Sequence, residues 1–325
     1  MKIIRTILGD IPYNEIGITD SHDHLIRSGG PEIGLDKAFL MDDVNSAIEE
    51  FERYIAAGGK TMVCMDPIGC GRNVAKMIEV ANACRGKGHI MMTTGFQKGN
   101  NYCPNTSFLA TVDVNKIADL MIAEIVEGMD YHSYNGPVIE RTTAKAGLIK
   151  AGTSYRLITN LEQKALKVAA ITQKETGCAI SMHTDFGTMA LEIVGEIKKN
   201  GGLPEKTVLC HMQRNLDKYY YRQVLETGAI ICFDEPNKPQ YRPDAVIAET
   251  ILWLVEQGYE KQIVLGMDGG RMEALAAYME EKGKANGLEY LLTRFVPVLK
   301  EVGVKQSAID NMLIYNPANV FAIEV

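Results

Sequence analysis

The stretch Thr207-Val208-Leu209-Cys210-His211 is a short β-branched and apolar run that ends in a histidine. It is too short for a helix and has the composition of a buried strand. The same construction recurs in Ala179-Ile180-Ser181-Met182-His183, in Ala146-Gly147-Leu148-Ile149-Lys150 and in Ile263-Val264-Leu265-Gly266-Met267-Asp268. Working outward gives eight runs, near 17–22, 61–66, 89–94, 146–150, 178–183, 207–211, 229–233 and 263–268. Amphipathic stretches lie between them, at 42–57, 114–128, 161–175, 191–199, 215–226 and 243–257. Glycines at 58–59, 177, 201–202, 228 and 258 stand where helix C-termini favour them.

Strand and helix in alternation, eight times over, predict an α/β protein with a closed parallel sheet, the (β/α)8 or TIM barrel. An open doubly wound sheet would have fewer strands, and no G-x-G-x-x-G follows the first run. Two more helical patterns, at 287–301 and 305–313 and ending at Asn316-Pro317, predict the last barrel helix and a C-terminal helical extension. No repeat, low-complexity tract or Pro/Ser-rich linker divides the chain, so residues 1–325 read as one barrel domain.

The formal net charge of −7 and pI near 5.5 argue against a nucleic-acid or anionic-membrane partner. No apolar run approaches the roughly 18–20 residues of a membrane span. Met1-Lys2-Ile3-Ile4-Arg5 runs too soon into Asp10 and Pro12 to be a secretory leader. Seven scattered cysteines without a C-x-x-C pair read as reduced thiols in a cytoplasmic protein.

Chemistry concentrates at the strand ends. Asp20-Ser21-His22-Asp23-His24 closes the first run with an H-x-H, and residues two apart on a strand share a face. Alone, this pair could be ordinary loop histidines. Lys150, His183, His211 and Asp268 each close another run, however, and in a barrel all such ends lie on the face where active sites form. A charged group closing an apolar strand is costly unless it finds a partner there. The two remaining histidines differ: His89 opens the third run and reads as structural, while His132 lies in a tyrosine-rich loop as a surface residue, a lid residue or neither.

These motifs resemble the phosphotriesterase-like family of the amidohydrolase superfamily over nearly the whole chain. The resemblance rests on Asp23-His24-Leu25, Lys145-Ala146-Gly147-Leu148-Ile149-Lys150, Met182-His183-Thr184, His211 with Asn215-Leu216-Asp217, and Met267-Asp268. It implies two divalent metal ions, usually zinc, with manganese or cobalt as alternatives. One would be held by His22, His24 and Asp268, the other by His183 and His211. Lys150, carboxylated by CO2, would bridge them, because an ammonium can only donate whereas a carbamate offers two anionic oxygens. Asp268 and Lys150 would then be the catalytic pair, Asp268 moving the proton of the attacking water.

The loop His211-Met212-Gln213-Arg214-Asn215-Leu216-Asp217 and Gly152-Thr153-Ser154-Tyr155 resemble the family's phosphorylated sugar lactonases. That resemblance implies a small ester or lactone substrate and a phosphate held by basic residues after strands seven and eight. Lys238, Tyr241, Arg242 and Arg271 stand there, with Arg214 and Tyr155 nearby, but Met272-Glu273-Ala274-Leu275 replaces the tyrosine expected after Arg271. Arg214 and Glu235 stand where the phosphotriesterases carry proton-relay groups, and form either a substrate-binding pair or a surface salt bridge. Phe96, Tyr102 and Cys103 are expected to pack as core or lid, and Arg72 to support the site or neighbour a helix cap. Gly269-Gly270 would let backbone approach substrate. The alternatives are a phosphotriesterase or other phosphoester hydrolase, and a catalytically silent metal-binding barrel. A homodimer is compatible with either.

Overall fold

A computed structural model describes residues 1–279 and 285–325. The chain opens with an antiparallel hairpin, β1 (Lys2–Thr6) and β2 (Gly9–Pro12). Eight strands follow: β3 (Thr19–Asp23), β4 (Thr61–Cys64), β5 (His89–Gly95), β6 (Leu148–Thr153), β7 (Ile180–Thr184), β8 (Thr207–Cys210), β9 (Ile230–Phe233) and β10 (Ile263–Leu265). They pair in parallel and in chain order, as the sequence predicts for a (β/α)8 barrel. The seam between β10 and β3 is closed by Asp268 N–H donating to His22 O at 2.9 Å.

Period-two alternation sorts each strand. Val63, Met91, Leu148, Ala179, Val208, Ile230 and Val264 fill the barrel interior, while Met62, Ile149, Ile180, Leu209, Ile231 and Ile263 pack outward on the helices. Ile4, Ile16, Val320 and Phe321 join the interior cluster. The opening hairpin thus belongs to this core, and β11 (Ile323–Glu324) pairs with β1 to complete a three-stranded sheet. The sequence reading missed this small sheet.

The predicted helices form with edges shifted by a few residues. The predicted 215–226 helix illustrates why: it starts at Lys218 because the Asp217 carboxylate accepts the N–H groups of Tyr219 and Tyr220. Helix Asn160–Thr176 is held by a capping box between Thr159 and Glu162 and ends at Gly177 in the left-handed region. The tail departs more. Helical structure begins at Leu291, each tail segment contains a π-turn, and the final helix runs on through Asn316–Phe321. Pro317 comes just after the π-turn Asn311–Tyr315, inside one continuous helical stretch from Gln306 to Phe321. Among the described residues, no helix is long and apolar enough to cross a membrane.

Candidate active site

Alternation that fills the core also aims the site. Lys150 follows inward Leu148 by two, His183 follows Ala179 by four, and Asp268 follows Val264 by four. His211 breaks this parity, because it comes directly after inward-facing Cys210. Its backbone enters the left-handed region at φ 61°, and Asp268 does likewise at φ 47°. Such conformations are uncommon for non-glycine residues and persist where surroundings over-determine them. At His211 the surroundings are the Asp234 carboxylate, which accepts the His211 backbone N–H at 3.0 Å.

His22, His24, His183, His211 and Asp268 line one cavity of about 250 Å³ at the C-terminal ends of the strands. Asp268 Oδ1 lies 3.5 Å from His22 Nε2 and 3.4 Å from His24 Nε2. The His183 and His211 ring centroids are 4.6 Å apart, and those of His22 and His211 are 5.0 Å apart. Beneath them, among the described residues, the buried Lys150 Nζ has no hydrogen-bond partner, and neither has the His183 Nε2. Buried nitrogens of this kind are expensive unless something absent from the polypeptide satisfies them. Burial and the neighbouring charges of His211, Lys150, Lys98 and Arg214 also push His183 well below the usual histidine range. A neutral imidazole with a free nitrogen is a metal ligand. One donor triad, His22, His211 and Asp268, has its atoms within 4.8 Å of one another. The donor set therefore fits divalent cations.

Two aspartates orient these rings, and the sequence reading singled out neither. Asp66 Oδ2 sits 2.9 Å from His24 Nδ1, and its other oxygen accepts from Arg27 Nε at 2.8 Å. Asp234 spans two histidines, 2.9 Å from His22 Nδ1 and 3.1 Å from His211 Nδ1. With Nδ1 directed at a carboxylate, Nε2 is left to face the cavity. Burial raises the Asp234 pKa, but the two histidines outweigh it and hold the carboxylate well below its usual range.

The cavity wall is cationic. Lys238 Nζ donates to Asp268 Oδ2 and to Asp268 O, both at 2.7 Å, and lies 3.3 Å from Glu235. Arg214 forms a two-pronged pair with the fully buried Glu235 and lies 3.9 Å over the Tyr241 ring. Arg214 lines the cavity with Glu235 buried behind it, so the pair is not an exposed salt bridge. Burial raises the Asp268 pKa, yet Lys238, His24 and the other histidines keep it well below the ordinary value, so the carboxylate is held ionised. Arg271 reaches the rim, stacks 4.7 Å over Phe39 and pairs with Asp36.

The structure brings Arg214, Lys238, Tyr241 and Arg271 to this cavity, but not Tyr155 or Arg242. Those two line a separate, more open cavity of about 380 Å³ that shares Arg214 with the first. Arg242 donates to the carbonyls of Tyr241 and Arg214 and braces their loop. Five wall residues went unread: Lys98, paired with Asp185 at 2.9 Å, Gln97, Arg27, Glu32 and Phe39. Gln97 and Lys98 sit in a loop, while Glu32 and Phe39 sit in single helical turns, Pro31–Leu35 and Lys37–Phe39, too short for a periodic signal.

The remaining candidates are accounted for. Phe96 and Tyr102 are buried packing residues, the Tyr102 hydroxyl donating to Ile68 O at 2.8 Å, while Cys103 is exposed. Arg72 is fully buried in a bidentate pair with Glu124, both contacts at 2.7 Å. His132 is a surface residue 3.4 Å from Glu140. Gly270 lines the cavity and Gly269 N–H donates to Asp23 at 2.9 Å.

Comparison with known proteins agrees with this geometry. The chain is 48% identical to a phospho-furanose lactonase of Mycoplasmopsis synoviae, over 99% of this chain and 92% of that one. It is 49% identical to a phospho-furanose lactonase of Mycoplasmopsis agalactiae over the same shares. An amidohydrolase structure from Mycoplasma synoviae superposes with a TM-score of 0.97 at 48% identity, covering 99% of this chain and 92% of that one. A lactonase from Listeria monocytogenes superposes at 0.88 with 29% identity, covering 99% and 100%. The model of the phosphotriesterase family, whose members are metal-dependent hydrolases, matches residues 2–321, and the chain belongs to that family.

Proposed function

We propose that this cavity opens a phosphorylated furanose lactone to its hydroxy acid with two divalent ions. Family membership and relatives make the chain a hydrolase of lactones or phosphoesters. The observation that carries the finer reading is the pairing of the histidine-lined cavity floor, with the unpartnered Lys150 Nζ beneath it, and the cationic rim of Arg214, Lys238 and Arg271. His22, His24 and Asp268 would hold one ion and His183 and His211 the other, with Lys150 joining them as its carbamate. Zinc, manganese and cobalt are all compatible with these donors. When bound, the ions supply an acidified water and a Lewis acid for the lactone carbonyl.

The chain's own groups do the rest. Asp268, held ionised by Lys238, takes the proton of the attacking water. As the carbonyl carbon gains that oxygen, the ring C–O bond breaks, and Asp268 returns the proton to the departing alkoxide. Asp66 and Asp234 keep the rings aimed during both steps. Arg271, 40% exposed at the rim, meets the substrate phosphate, with Lys98 and Arg214 as further cations on the wall. The names of the two Mycoplasmopsis relatives support a phosphorylated furanose ring. Tyr155 and Arg242 line the neighbouring cavity that shares Arg214 and are left outside this contact. A cytoplasmic location accords with this chemistry, because phosphorylated sugars are metabolites of the cell interior.

The test is a panel of lactones with and without a phosphate, alongside an aryl phosphotriester, each assayed with added zinc or manganese. Faster turnover of the phosphorylated lactone is expected. Turnover of the phosphotriester alone would replace this reading with a phosphoester hydrolase.

A further inference from the structure

Glu50 lies on helix Val44–Ala56, outside the cavity, and is 0% exposed. An unpaired carboxylate inside an outer barrel helix would be strongly unfavourable. Its two oxygens are instead divided between two backbone amides far away in sequence. Oε2 accepts the N–H of Ala277 at 2.8 Å, and Oε1 accepts the N–H of Leu288 at 2.7 Å. At Gly287 a Cβ would come 2.7 Å from that Oε1, so the backbone there has been brought close to the carboxylate.

Ala277 ends the segment that carries Gly270, Arg271 and Ala274, the cavity wall contributed after β10. A second tether reinforces the first. The Tyr278 hydroxyl lies 3.0 Å from Leu25 O, directly after His24, and 2.9 Å from Asp43 O, at the cap of the Glu50 helix. Arg271 itself is 40% exposed, and its side-chain partners Asp36 and Glu273 are 45% and 67% exposed. Exposed pairs of this kind fix a side chain weakly. Besides its stack over Phe39 at 4.7 Å, the position of the guanidinium over the cavity therefore depends on the backbone that carries it.

We propose that Glu50 is a positioning residue for substrate binding: it anchors the wall segment after β10 and so holds Arg271 and Gly270 at the mouth of the cavity. It touches no substrate and takes no part in proton transfer. The kinetic part of this inference rests on the lactonase reading above; the structural part does not.

Glu50→Gln is the informative change, since it keeps the volume but turns an NH2 donor toward one of the two N–H groups. For a phosphorylated lactone, KM should rise by up to about tenfold, the factor that about 1.4 kcal/mol makes, with kcat within about twofold. In an Arg271→Ala background the same change should add little to KM, because both act through one contact. Amide exchange of residues 271–277 should accelerate in Glu50→Gln whatever the substrate is. If Glu50→Gln does not fold, Tyr278→Phe loosens the same wall from its other tether and should give the same KM rise and faster exchange. A lowered Tm with unchanged exchange in 271–277 and unchanged KM would overturn the proposal, as would a KM effect fully additive with Arg271→Ala. A wild-type protein inactive on every lactone would instead sink the lactonase reading, and the exchange result would still decide the anchoring role.

Discussion

The amide of Asp268 donates to the carbonyl of His22 across 2.9 Å, so the last barrel strand is joined to the first through two residues that both face the cavity. Barrel closure and site assembly are the same event. His24 Nε2, His22 Nε2 and the Asp268 carboxylate inherit their spacing from this seam and not from a flexible loop.

Asp268→Asn tests the role of that carboxylate with little disturbance, because asparagine tolerates the left-handed backbone found there at φ 47°. Turnover should fall by about 10²–10⁴, the usual worth of a positioned acid–base group. KM should move far less. Steady-state kinetics with metal content measured in parallel decide it; a variant retaining wild-type kcat would remove Asp268 from the chemistry.

Asp234→Asn addresses the orienting shell. One carboxylate serves both the His22 and the His211 Nδ1, and an amide has only one acceptor oxygen to offer them. Loss of such an outer partner typically weakens metal binding by about 10–100-fold. Competition against a chromophoric chelator should show that loss, and unchanged affinity would mean that Asp234 is a core residue only.

Much of this was legible beforehand, for one physical reason. Strands buried on both faces read as short apolar runs, and a His, Lys or Asp at the end of one stands out against them. Asp66 and Asp234 follow the runs at β4 and β9 in the same way, so their signal was present; an aspartate there does not suggest metal binding as a histidine does. His211 was found although strand parity alone would have aimed it outward, because the correction is a backbone torsion at φ 61° that composition does not encode. Glu50 was invisible for the opposite reason. An acid on an amphipathic helix reads as solvated until the wall segment is seen folded over it. Lys98 stands in an aperiodic loop and Glu32 in a helix of only five residues, and the opening hairpin is too short to announce that it pairs with Ile323–Glu324.

Arg271→Ala should raise KM for a phosphorylated lactone by roughly tenfold, the low end of what a charge-assisted contact of about 1.5–3 kcal/mol gives, because the side chain is 40% exposed. An uncharged lactone should hardly notice the change. The Tm should also hold, since the pair with Asp36 is exposed and worth little. Equal effects on both lactones would show that Arg271 does not meet a phosphate.

His89 supplies a pH control away from the cavity. Burial, with Lys60 nearby, lowers its pKa from 6.5. A histidine depressed in the folded state contributes stability above its unfolded pKa and loses it as pH falls through the folded one. His89→Gln should therefore gain in Tm relative to wild type as pH drops below 6.5, with kcat unaffected. Parallel Tm curves for the two proteins would mean that His89 is not depressed.

The central claim is that divalent ions on this donor set open a lactone, and chelation tests it most directly. Hydrolysis of a phosphorylated furanose lactone should fall to background when the protein is stripped by a chelator, and should return with zinc or manganese in the presence of bicarbonate. Restoration should reach its full extent near two ions per chain, the stoichiometry of a bridged pair, and Lys150→Ala should fail to recover it. A stripped, metal-free protein that still turns over the lactone at the original rate would contradict the account.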